Sequence, residues 1–251
     1  MTAIDDPLSG KVALVTGAAR RIGAEIVRLL HCEGMDILLH YRSARESAKQ
    51  LALELTARRQ DSVRLIEADL LNRQALDNLV HQAEAWRGRL DLLVNNASSF
   101  YATPLASAGE AEWEELMGTN LKAPFFLAKA AAPLLRASQG CIVNLVDIHA
   151  ERPLADHPIY NIAKAGNAMM VKTLAWELGP EVRVNGVAPG AILWPNQEMP
   201  EKAKAEIISR TALKRAGTPA DIARTVLFLA QGNNYISGQI IAVDGGRSVQ
   251  Q

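Results

Sequence analysis

The stretch KVALVTGAARRIGAEIVRLL, residues 11–30, decides the fold of this chain of 251 residues. KVALVT predicts a buried strand, and IGAEIVRLL has the apolar spacing of a helix. Between them Gly17 ends the predicted strand and Gly23 opens the helix. Such a spacing by itself also fits a plain strand-to-helix turn. Followed by a second strand, it predicts a dinucleotide site, because N–H groups of the turn and of the helix N-terminus point at a bound pyrophosphate.

Short β-rich runs alternate with helical segments along the rest of the chain. Several runs are almost continuously apolar, as the strands of a buried parallel sheet are, and segments such as 22–34, 45–59 and 158–179 supply the crossovers. We therefore predict an α/β fold in which one doubly wound sheet of seven parallel strands carries helices on both faces. The predicted strands cover residues 11–16, 36–41, 62–68, 90–96, 141–147, 182–188 and 239–245.

No linker, repeat or shift of composition divides the sequence, so we predict a single domain over residues 1–251. The exception to the regular alternation is 190–219, a long insertion with three prolines between the last two predicted strands. Long loops of this kind often contact substrates. We expect a substrate-binding insertion at about 191–217.

The composition excludes several classes of partner. Lysine plus arginine and aspartate plus glutamate each number 27, so the formal net charge is zero, and no broad basic field is available for nucleic acid or an anionic membrane. No apolar run is long enough to span a bilayer, and the first ten residues do not read as a secretory signal. Cys32 and Cys141 lack the spacing of metal ligands. We expect a cytoplasmic protein with reduced, buried thiols and no metal, whose partners are small molecules or its own copies.

The residues after the second predicted strand indicate which dinucleotide binds. An NAD protein usually places an acid there for the ribose 2′-hydroxyl, whereas this chain has HYRSAR at 40–45. Arg42 and Ser43 are suited to hold a 2′-phosphate, with His40 and Arg20 near by, so we predict NADPH. The alternative is a solvated basic turn, which requires two separate loops to be basic at one place by coincidence.

Two further strand ends complete the predicted cofactor site. EADL after the third strand places Asp69 and Leu70 near the adenine, and NNAS after the fourth strand brings Asn96 and Ala97 to the crevice. Ligands of open α/β sheets bind in this crevice, outside the carboxyl ends of the strands.

Several motifs occur in one fixed order: TGAARRIG, NNAS, Asn120 in NLKAPFF, Tyr160 with Lys164, NGVAPG (185–190) and the closing VDGG. In this combination the chain resembles the short-chain dehydrogenase/reductase family over essentially its whole length. The resemblance implies a Rossmann fold, hydride transfer with a nicotinamide cofactor and, commonly, a homotetramer. The residues that we expect against the cofactor are Gly17, Arg20, Arg21, Ile22, His40, Tyr41, Arg42, Ser43, Asp69, Leu70, Asn96, Ala97, Ser98, Lys164, Pro189 and Gly190.

Three departures from the general family pattern coincide. Arg21 stands at the usual middle glycine of the phosphate loop, Asp147 stands at the usual catalytic serine, and Phe100 lies just beyond the nicotinamide pocket. Together they resemble the pteridine reductases. That resemblance implies that Arg21 and Ser98 face cofactor phosphate and substrate, and that Phe100 stacks on a pterin ring opposite the nicotinamide. The predicted substrate-binding residues are Arg21, Ser98, Phe100, Asp147, Tyr160 and, as walls of the pocket, Leu193 and Trp194.

The pair Tyr160 and Lys164 has the four-residue spacing of one helix face. Free tyrosine has a pKa of about 10, and a neighbouring cation lowers it. We therefore expect Lys164 to lower the pKa of Tyr160, which acts as the acid. The family resemblance further implies that Lys164 hydrogen-bonds the nicotinamide ribose and that Asn120 supports a water chain to bulk solvent.

Asp147 acts on the same phenol with the opposite sign. At about 4 Å and an effective dielectric near 20, two unit charges interact by roughly 4 kcal/mol. A negative Asp147 therefore favours the protonated phenol, which is the form that donates a proton, and favours reduction over alcohol oxidation. A C=N bond that accepts hydride at carbon needs such a proton at nitrogen. The alternative is that Asp147 only caps the following turn.

We therefore predict NADPH-dependent reduction of dihydropterins such as dihydrobiopterin, with Asp147, Tyr160, Lys164 and Asn120 as the catalytic residues. A role on dihydromonapterin or dihydrofolate shares the same pocket and stays open. A general carbonyl reductase of 3-oxoacyl thioesters or sugars is a second alternative, which Asp147 and Arg21 disfavour. The third is a non-catalytic NADP-sensing regulator, which the presence of both Tyr160 and Lys164 disfavours.

Overall fold

A computed structural model describes residues 8–192, 200–231 and 235–249. Within these ranges the chain forms one sheet of seven parallel strands, in the order β3-β2-β1-β4-β5-β6-β7. The order reverses between the first and fourth strands, as in a doubly wound fold. The strands are β1 (Val12–Val15), β2 (Asp36–Tyr41), β3 (Val63–Glu67), β4 (Leu92–Asn95), β5 (Cys141–Leu145), β6 (Arg183–Pro189) and β7 (Ile240–Val243).

The segments between the strands are mostly helical, as predicted. A π-helical turn (Gly118–Lys122) joins the fourth and fifth helices, and a 3-10 turn (Ile148–Ala150) follows β5. The α-helices in the described ranges are α1 (Arg21–Cys32), α2 (Arg45–Thr56), α3 (Arg73–Arg87), α4 (Glu110–Met117), α5 (Ala123–Ser138), α6 (Pro158–Glu177), α7 (Glu201–Ser209) and α8 (Pro219–Ala230).

Strand β1 shows why the sheet requires an uninterrupted apolar sequence. Its successive side chains alternate between the two faces of the sheet, and all of them are buried. Ala13 and Val15 pack with α1, α2 and α8 on one face, whereas Val12 and Leu14 pack with α3, α5 and α6 on the other. Because helices cover both faces, neither set of side chains reaches water. The predicted single-domain α/β fold is confirmed.

The turns after β1 and β4 meet where the strand order reverses. Gly17 has a φ of +60°, and a Cβ on it would lie 2.9 Å from Ala97 Cα. A Cβ on Gly23 would overlap the carbonyl oxygen of Gly17. Only glycine fits both positions without a shift of the backbone. As a result, α1 begins directly beside a cleft between the two turns.

The predicted burial of both thiols is wrong for one of them. Cys141 is buried in β5, whereas Cys32, in the last turn of α1, is exposed, and both are unpaired. The buried stripe of α1 runs through Ile26, Val27 and Leu30, and Cys32 falls outside this stripe. None of the helices in the described ranges combines the length and the apolar composition that crossing a bilayer requires.

Part of the insertion after β6 is described. Helix α7 lies in it and has no buried residue. The Gly217 N–H donates to the Ala191 carbonyl at 2.9 Å, which joins the two ends of the insertion at its base. Leu193 and Trp194, the predicted pocket walls, lie outside the described residues. The substrate-binding role of the insertion therefore stays a prediction.

Candidate active site

A cleft of about 350 Å³ opens at the carboxyl ends of the strands, where the turns after β1, β2, β3 and β4 meet. Four loops that are far apart in sequence thus converge, as the sequence analysis predicts. Ser99 and Thr119 also line the cleft and were not predicted. The predicted cofactor residues in its walls are Gly17, Arg20, Arg21, Ile22, His40, Arg42, Asp69, Leu70, Asn96, Ala97 and Ser98.

Hydrogen bonds hold the turn after β1 against the turn after β4. Thr16 Oγ1 accepts from the N–H groups of Asn96 and Ala97, each at 3.0 Å. The Asn96 side-chain amide donates to the carbonyl oxygens of Thr16 and Gly17, at 2.8 and 3.0 Å. Asn96 therefore uses its side chain to shape the cleft, and the backbone of the turn faces the space that a ligand would fill.

His40 lines the cleft, but both of its ring nitrogens bind backbone groups. The Gly17 N–H donates to His40 Nδ1 at 3.1 Å, and Nε2 lies 3.1 Å from the Ala68 carbonyl oxygen, so the ring proton is assigned to Nε2. Burial lowers the pKa of His40 to about 4, which keeps the ring neutral at physiological pH. Its two ring contacts position Gly17 and Ala68 around the cleft, and its contact with the cofactor stays a prediction.

Tyr41 does not line the cleft, so its contact with the cofactor stays a prediction. Successive residues of β2 face opposite sides, and since His40 faces the cleft, Tyr41 faces away from it. Its hydroxyl donates to Glu67 of β3 at 3.2 Å. Arg45 also binds Glu67, at 2.5 Å, so this carboxylate beside the strand end is paired with a cation.

Three arginines lie exposed in the walls of the cleft, Arg20 and Arg21 after β1 and Arg42 after β2. The Nε–H of Arg20 donates to Ser47 Oγ of α2 at 2.9 Å, which links the two loops. Ser43 is exposed but does not line the cleft. Its contact with the cofactor stays a prediction.

Arg21, the first residue of α1, has a φ of +54°. The left-handed region costs a side chain roughly 1–2 kcal/mol, and glycine avoids this cost. Strained residues of this kind cluster at functional sites. The conformation of Arg21, which lines the cleft, therefore agrees with the role that the sequence predicts for it.

Asp147 contacts both groups that the sequence analysis considered. The Tyr160 hydroxyl donates to Asp147 Oδ2 at 2.7 Å. The His149 N–H donates to Asp147 Oδ1 at 2.9 Å, which caps the 3-10 turn. The two interpretations of Asp147, as the partner of Tyr160 and as a turn cap, are therefore compatible, because each uses one carboxylate oxygen.

The predicted lowering of the pKa of Tyr160 by Lys164 is wrong. Burial raises the pKa of Tyr160 well above its ordinary value, and the charge and hydrogen bond of Asp147 raise it further, whereas a hydrogen bond with Ser98 acts in the opposite direction. Lys164 Nζ lies 5.6 Å from the centre of the Tyr160 ring and donates to the Leu145 carbonyl at 2.9 Å. The predicted direction of the effect of Asp147 is confirmed.

Lys164 is itself a perturbed group. It is 2% exposed, and burial lowers its pKa to about 8, although the charge of Asp147 acts in the opposite direction. Desolvation disfavours an ammonium ion more than a single carboxylate near by can offset. Lys164 therefore loses its proton within the pH range in which enzymes are commonly assayed.

Asn120 lies in the π-helical turn, an element often found at functional sites. Its Oδ1 accepts from Ser98 Oγ at 2.6 Å, and its Nδ2 donates to the carbonyl oxygens of Ser99 and Leu116, each at 2.9 Å. Its own carbonyl accepts from Asn167 Nδ2 at 2.8 Å. The predicted water chain would have to use the second lone pair of that carbonyl oxygen.

Phe100 lies beside the phenol of Tyr160. Their ring centres are 4.8 Å apart with the planes at 74°, an edge-to-face contact. The other neighbour of Phe100 is His157, whose ring is stacked on it at 4.8 Å and 14°. The sequence analysis gave His157 no role. Its position three residues before Tyr160, on the same helix face, was the signal that could have placed it in the site.

Glu115 of α4 holds the segment that carries Phe100. Its two carboxylate oxygens accept from Ser99 Oγ and from the Tyr101 hydroxyl, each at 3.1 Å. Ser99 and Tyr101 thus share one anchor on α4, and Phe100 between them contacts Tyr160 instead. No motif in the sequence indicated Glu115.

Pro189 ends β6 at the same edge of the sheet and Gly190 follows it, but neither lines the cleft, so their contact with a cofactor stays a prediction. In the described ranges, no three His, Cys, Asp or Glu side chains gather as a metal site would require.

The cleft fits a nicotinamide dinucleotide. The glycine turn and the N-terminus of α1 supply backbone donors for a pyrophosphate, and Arg20 and Arg42 supply cations. Ser98 lies in the wall of the cleft and lowers the pKa of the nearby phenol of Tyr160, which connects the dinucleotide space to a proton donor. A nucleotide cleft joined to a buried acid defines a nicotinamide-dependent oxidoreductase.

Comparison with known proteins supports this class. The family model described as enoyl-(acyl carrier protein) reductase matches residues 17–248. Pteridine reductase 1 of Leishmania tarentolae is 36% identical over 279 aligned residues, which cover 95% of this chain and 96% of that protein. The 3-oxoacyl-[acyl-carrier-protein] reductase of Thermotoga maritima is 34% identical over 246 residues, with 95% and 98% covered. The chain belongs to the short-chain dehydrogenase/reductase family.

A third relative is granaticin polyketide synthase putative ketoacyl reductase 2 of Streptomyces violaceoruber, 34% identical over 248 residues, with 96% of this chain and 97% of that protein covered. The identities to relatives of different names are nearly equal. Overall identity therefore establishes the family and the reaction class, and the choice of substrate has to be argued from the site.

Proposed function

We propose that this protein is an NADPH-dependent pteridine reductase that reduces the C=N bond of a dihydropterin, such as dihydrobiopterin, to the tetrahydro form. The observation that carries the proposal is the hydrogen bond of 2.7 Å from the Tyr160 hydroxyl to Asp147. A carboxylate in this position favours the protonated phenol, which is the form that a reductase of a C=N bond needs. Phe100 at the edge of the same phenol supports a flat, conjugated substrate.

The reaction adds a hydride to the carbon and a proton to the nitrogen of the C=N bond. Bound NADPH supplies the hydride and is oxidised to NADP⁺. Tyr160 donates the proton from its hydroxyl, which the raised pKa keeps protonated at neutral pH. Asp147 is partly exposed, so its carboxyl group can pass a proton from solvent to the phenol after each turnover.

Phe100, which lies beside the proposed acid Tyr160, favours a pterin over an acyl thioester as the substrate. Phe100 is 48% exposed although it is large and apolar, so part of its ring is available to a ligand. A pterin offers a conjugated ring that stacks on such a surface, whereas the reacting part of an acyl thioester offers none. Stacking would also hold the C=N bond at a fixed distance from Tyr160.

We propose NADPH rather than NADH because the exposed arginines Arg20 and Arg42 line the cleft at the ends of β1 and β2. Replacing Arg42 by alanine should raise the Kd for NADPH about 10- to 100-fold, because a charged hydrogen bond contributes about 1.5–3 kcal/mol. The Kd for NADH should hardly change. Fluorescence titration of both nucleotides measures this, with Lys49→Ala, an exposed cation on α2, as the control. Equal losses for both nucleotides would contradict the assignment.

Cofactor binding should weaken as the pH rises through the pKa of Lys164, which is about 8. Below this pKa the ammonium ion donates a charged hydrogen bond to the nicotinamide ribose, and above it a neutral amine donates a weaker one. We expect the Kd for NADPH to rise roughly fivefold to tenfold between about pH 7 and about pH 9.5. Lys164→Met has no proton to lose and should show a flat profile, and a flat profile in the unaltered protein would contradict the prediction.

Arg21→Gly should separate stability from activity. Glycine relieves the positive φ of +54° but makes the unfolded chain more flexible, so the free energy of unfolding should stay within about 1 kcal/mol of the parent. Pterin turnover should nevertheless fall about tenfold, because a cation that faces phosphate and substrate is removed. Urea unfolding and steady-state kinetics check the two parts, and unchanged turnover would show that Arg21 has no role in the site.

The second candidate function is reduction of 3-oxoacyl thioesters. It is favoured by the identity of 34% to the reductase of Thermotoga maritima and by the description of the matching family model. Tyr160 and Lys164 serve carbonyl reduction equally well. Asp147 and the exposed ring of Phe100 distinguish the two candidates, and both favour the pterin.

We also propose a cytoplasmic homotetramer. Ile162, Met169 and Trp176 are seven residues apart on α6 and are 50%, 59% and 87% exposed. They form one apolar stripe, and Phe125 of α5 is 42% exposed as well. A second copy of the chain would remove this surface from water.

The free thiols of Cys32 and Cys141 support a reducing compartment.

One assay tests the proposed function. NADPH oxidation is followed with dihydrobiopterin, dihydromonapterin, dihydrofolate and acetoacetyl-CoA side by side. The proposal expects turnover of at least one pterin, and the ranking among pterins and folate identifies the preferred one. Turnover of the thioester alone would replace the proposal by the second candidate.

A further inference from the structure

Four buried asparagines, three through their side chains and Asn120 through its backbone carbonyl, connect the segments that carry the site. Asn95 Nδ2 donates to Asn144 Oδ1 at 2.8 Å, and Asn144 Nδ2 donates to Asn167 Oδ1 at 3.0 Å. Asn167 Nδ2 then donates to the carbonyl oxygen of Asn120 at 2.8 Å. The four residues are between 0% and 4% exposed. Amides in a core bind one another strongly, and each would be costly to leave without a partner, so the series fixes its members in one arrangement.

The series joins the structural elements that hold the reacting groups. Asn95 ends β4, three residues before Ser98 in the wall of the cleft. Asn144 is in β5, three residues before Asp147, and Asn167 is in α6. The last link reaches the π-helical turn, where Asn120 binds Ser98. Asn167 is the member of the four that lies on α6. Its Oδ1 accepts from Asn144 of β5 and its Nδ2 donates to Asn120 of the π-helical turn, so both side-chain atoms link α6 to another element.

Asn167 also completes a row of three contacts between α6 and the end of β5. Tyr160 binds Asp147, Lys164 binds the Leu145 carbonyl, and Asn167 binds Asn144. The three residues of α6 have the spacing i, i+4 and i+7, which places them on one helix face. Their partners follow in reverse order along β5 and the residues directly after it. A shift of α6 along its axis would therefore disturb all three contacts together.

We infer that Asn167 is a positioning residue for proton donation, because it sets the place of Tyr160 relative to Asp147 and to the Ser98–Asn120 pair. Asn167 does not reach the substrate or the cofactor space, since it is buried and does not line the cleft. Its effect is exerted through the position of α6 and of the π-helical turn. The inference rests on the part of the proposed function in which Tyr160 is the acid, and it does not depend on the substrate being a pterin.

Asn167→Leu removes both hydrogen bonds while keeping a side chain of similar size. We expect kcat to fall about 10- to 100-fold, because small displacements of reacting groups have effects of this size, while the Kd for NADPH changes less. The alkaline limb of the kcat profile should move to lower pH, since a looser contact with Asp147 raises the pKa of Tyr160 less. Met170→Leu, a buried substitution one turn farther along α6, is the control and should change neither quantity.

The assay uses whichever of the four substrates named above the parent protein reduces. The test of Asn167 therefore remains possible even if the protein does not reduce a pterin. If the leucine variant does not fold, Asn167→Asp and Asn167→Ser report the same two quantities, because each keeps a polar group of smaller or equal size. Hydrogen exchange of residues 118–122 needs no substrate and should become faster in the Asn167 variants but not in Met170→Leu. A folded Asn167 variant with the kcat and the alkaline limb of the parent would overturn the inference, as would unchanged exchange in the turn.

Discussion

Replacing Asp147 by serine is expected to lower pterin turnover about 100-fold while leaving NADPH affinity unchanged. Serine is a good N-cap residue and can still accept from the His149 N–H, so the 3-10 turn should remain. The contact that is lost is the 2.7 Å hydrogen bond to the Tyr160 hydroxyl, together with the negative charge that favours the protonated phenol. Steady-state kinetics with dihydrobiopterin and a fluorescence titration of NADPH measure the two parts.

Asp147→Asn is the matched control for the charge. The amide oxygen can still accept a hydrogen bond, but the negative charge is gone, so turnover should fall between the values of the parent and the serine variant. Equal losses in the two variants would assign the effect to charge alone. Unchanged pterin turnover in Asp147→Ser would refute a catalytic role and leave only the turn cap.

Replacing Tyr160 by phenylalanine is expected to lower turnover by about 100- to 10,000-fold, the range for removal of a general acid. The ring remains, so the contact with Phe100 and the buried packing should be kept. Only the hydroxyl that donates the proton is lost. The Kd for NADPH should therefore stay close to that of the parent.

Tyr101→Phe provides the comparison for Tyr160→Phe. Tyr101 is a near neighbour, but its hydroxyl donates to Glu115 on α4. Removing it should affect the substrate KM more than kcat, through the segment that carries Phe100. If Tyr160→Phe retained most of the parental turnover, another group would have to supply the proton.

The fold was predictable because its strands are buried on both faces. Such strands are almost continuously apolar, which marks them in a sequence, and all seven predicted strands begin and end within two residues of the observed ones. The place of the turns after β1 and β4 beside one cleft followed from the glycines and from the rule that ligands of open α/β sheets bind outside the carboxyl ends of the strands. Rules about local sequence, such as the apolar pattern of a buried strand or a glycine in a tight turn, can be applied without coordinates.

The electrostatics of the site were less predictable. Proximity in sequence suggested that Lys164 would control the pKa of Tyr160, but burial dominates and raises it. Burial likewise lowers the pKa of His40, a residue of the predicted cofactor site, to about 4 and keeps its ring neutral. Desolvation depends on everything packed around a group, and a sequence pattern does not contain this information.

Contacts between distant segments were the least accessible from the sequence. Glu115 lies 14 residues beyond Tyr101 and 16 beyond Ser99, and only the structure shows that one carboxylate binds both. Asn167 and Asn144 bear no motif, and neither was considered in the sequence analysis. His157 had a helical spacing to Tyr160 that could have been used, but its stacking on Phe100 depends on a loop from another part of the chain.

Asp147 and Phe100 are proposed to adapt a short-chain reductase site to a pterin. The most direct measurement is kcat/KM with NADPH for dihydrobiopterin and for acetoacetyl-CoA, determined with the same preparation of the unaltered protein. The account predicts a clearly higher kcat/KM for dihydrobiopterin. A higher value for acetoacetyl-CoA, with no measurable oxidation of NADPH in the presence of any dihydropterin, would contradict it.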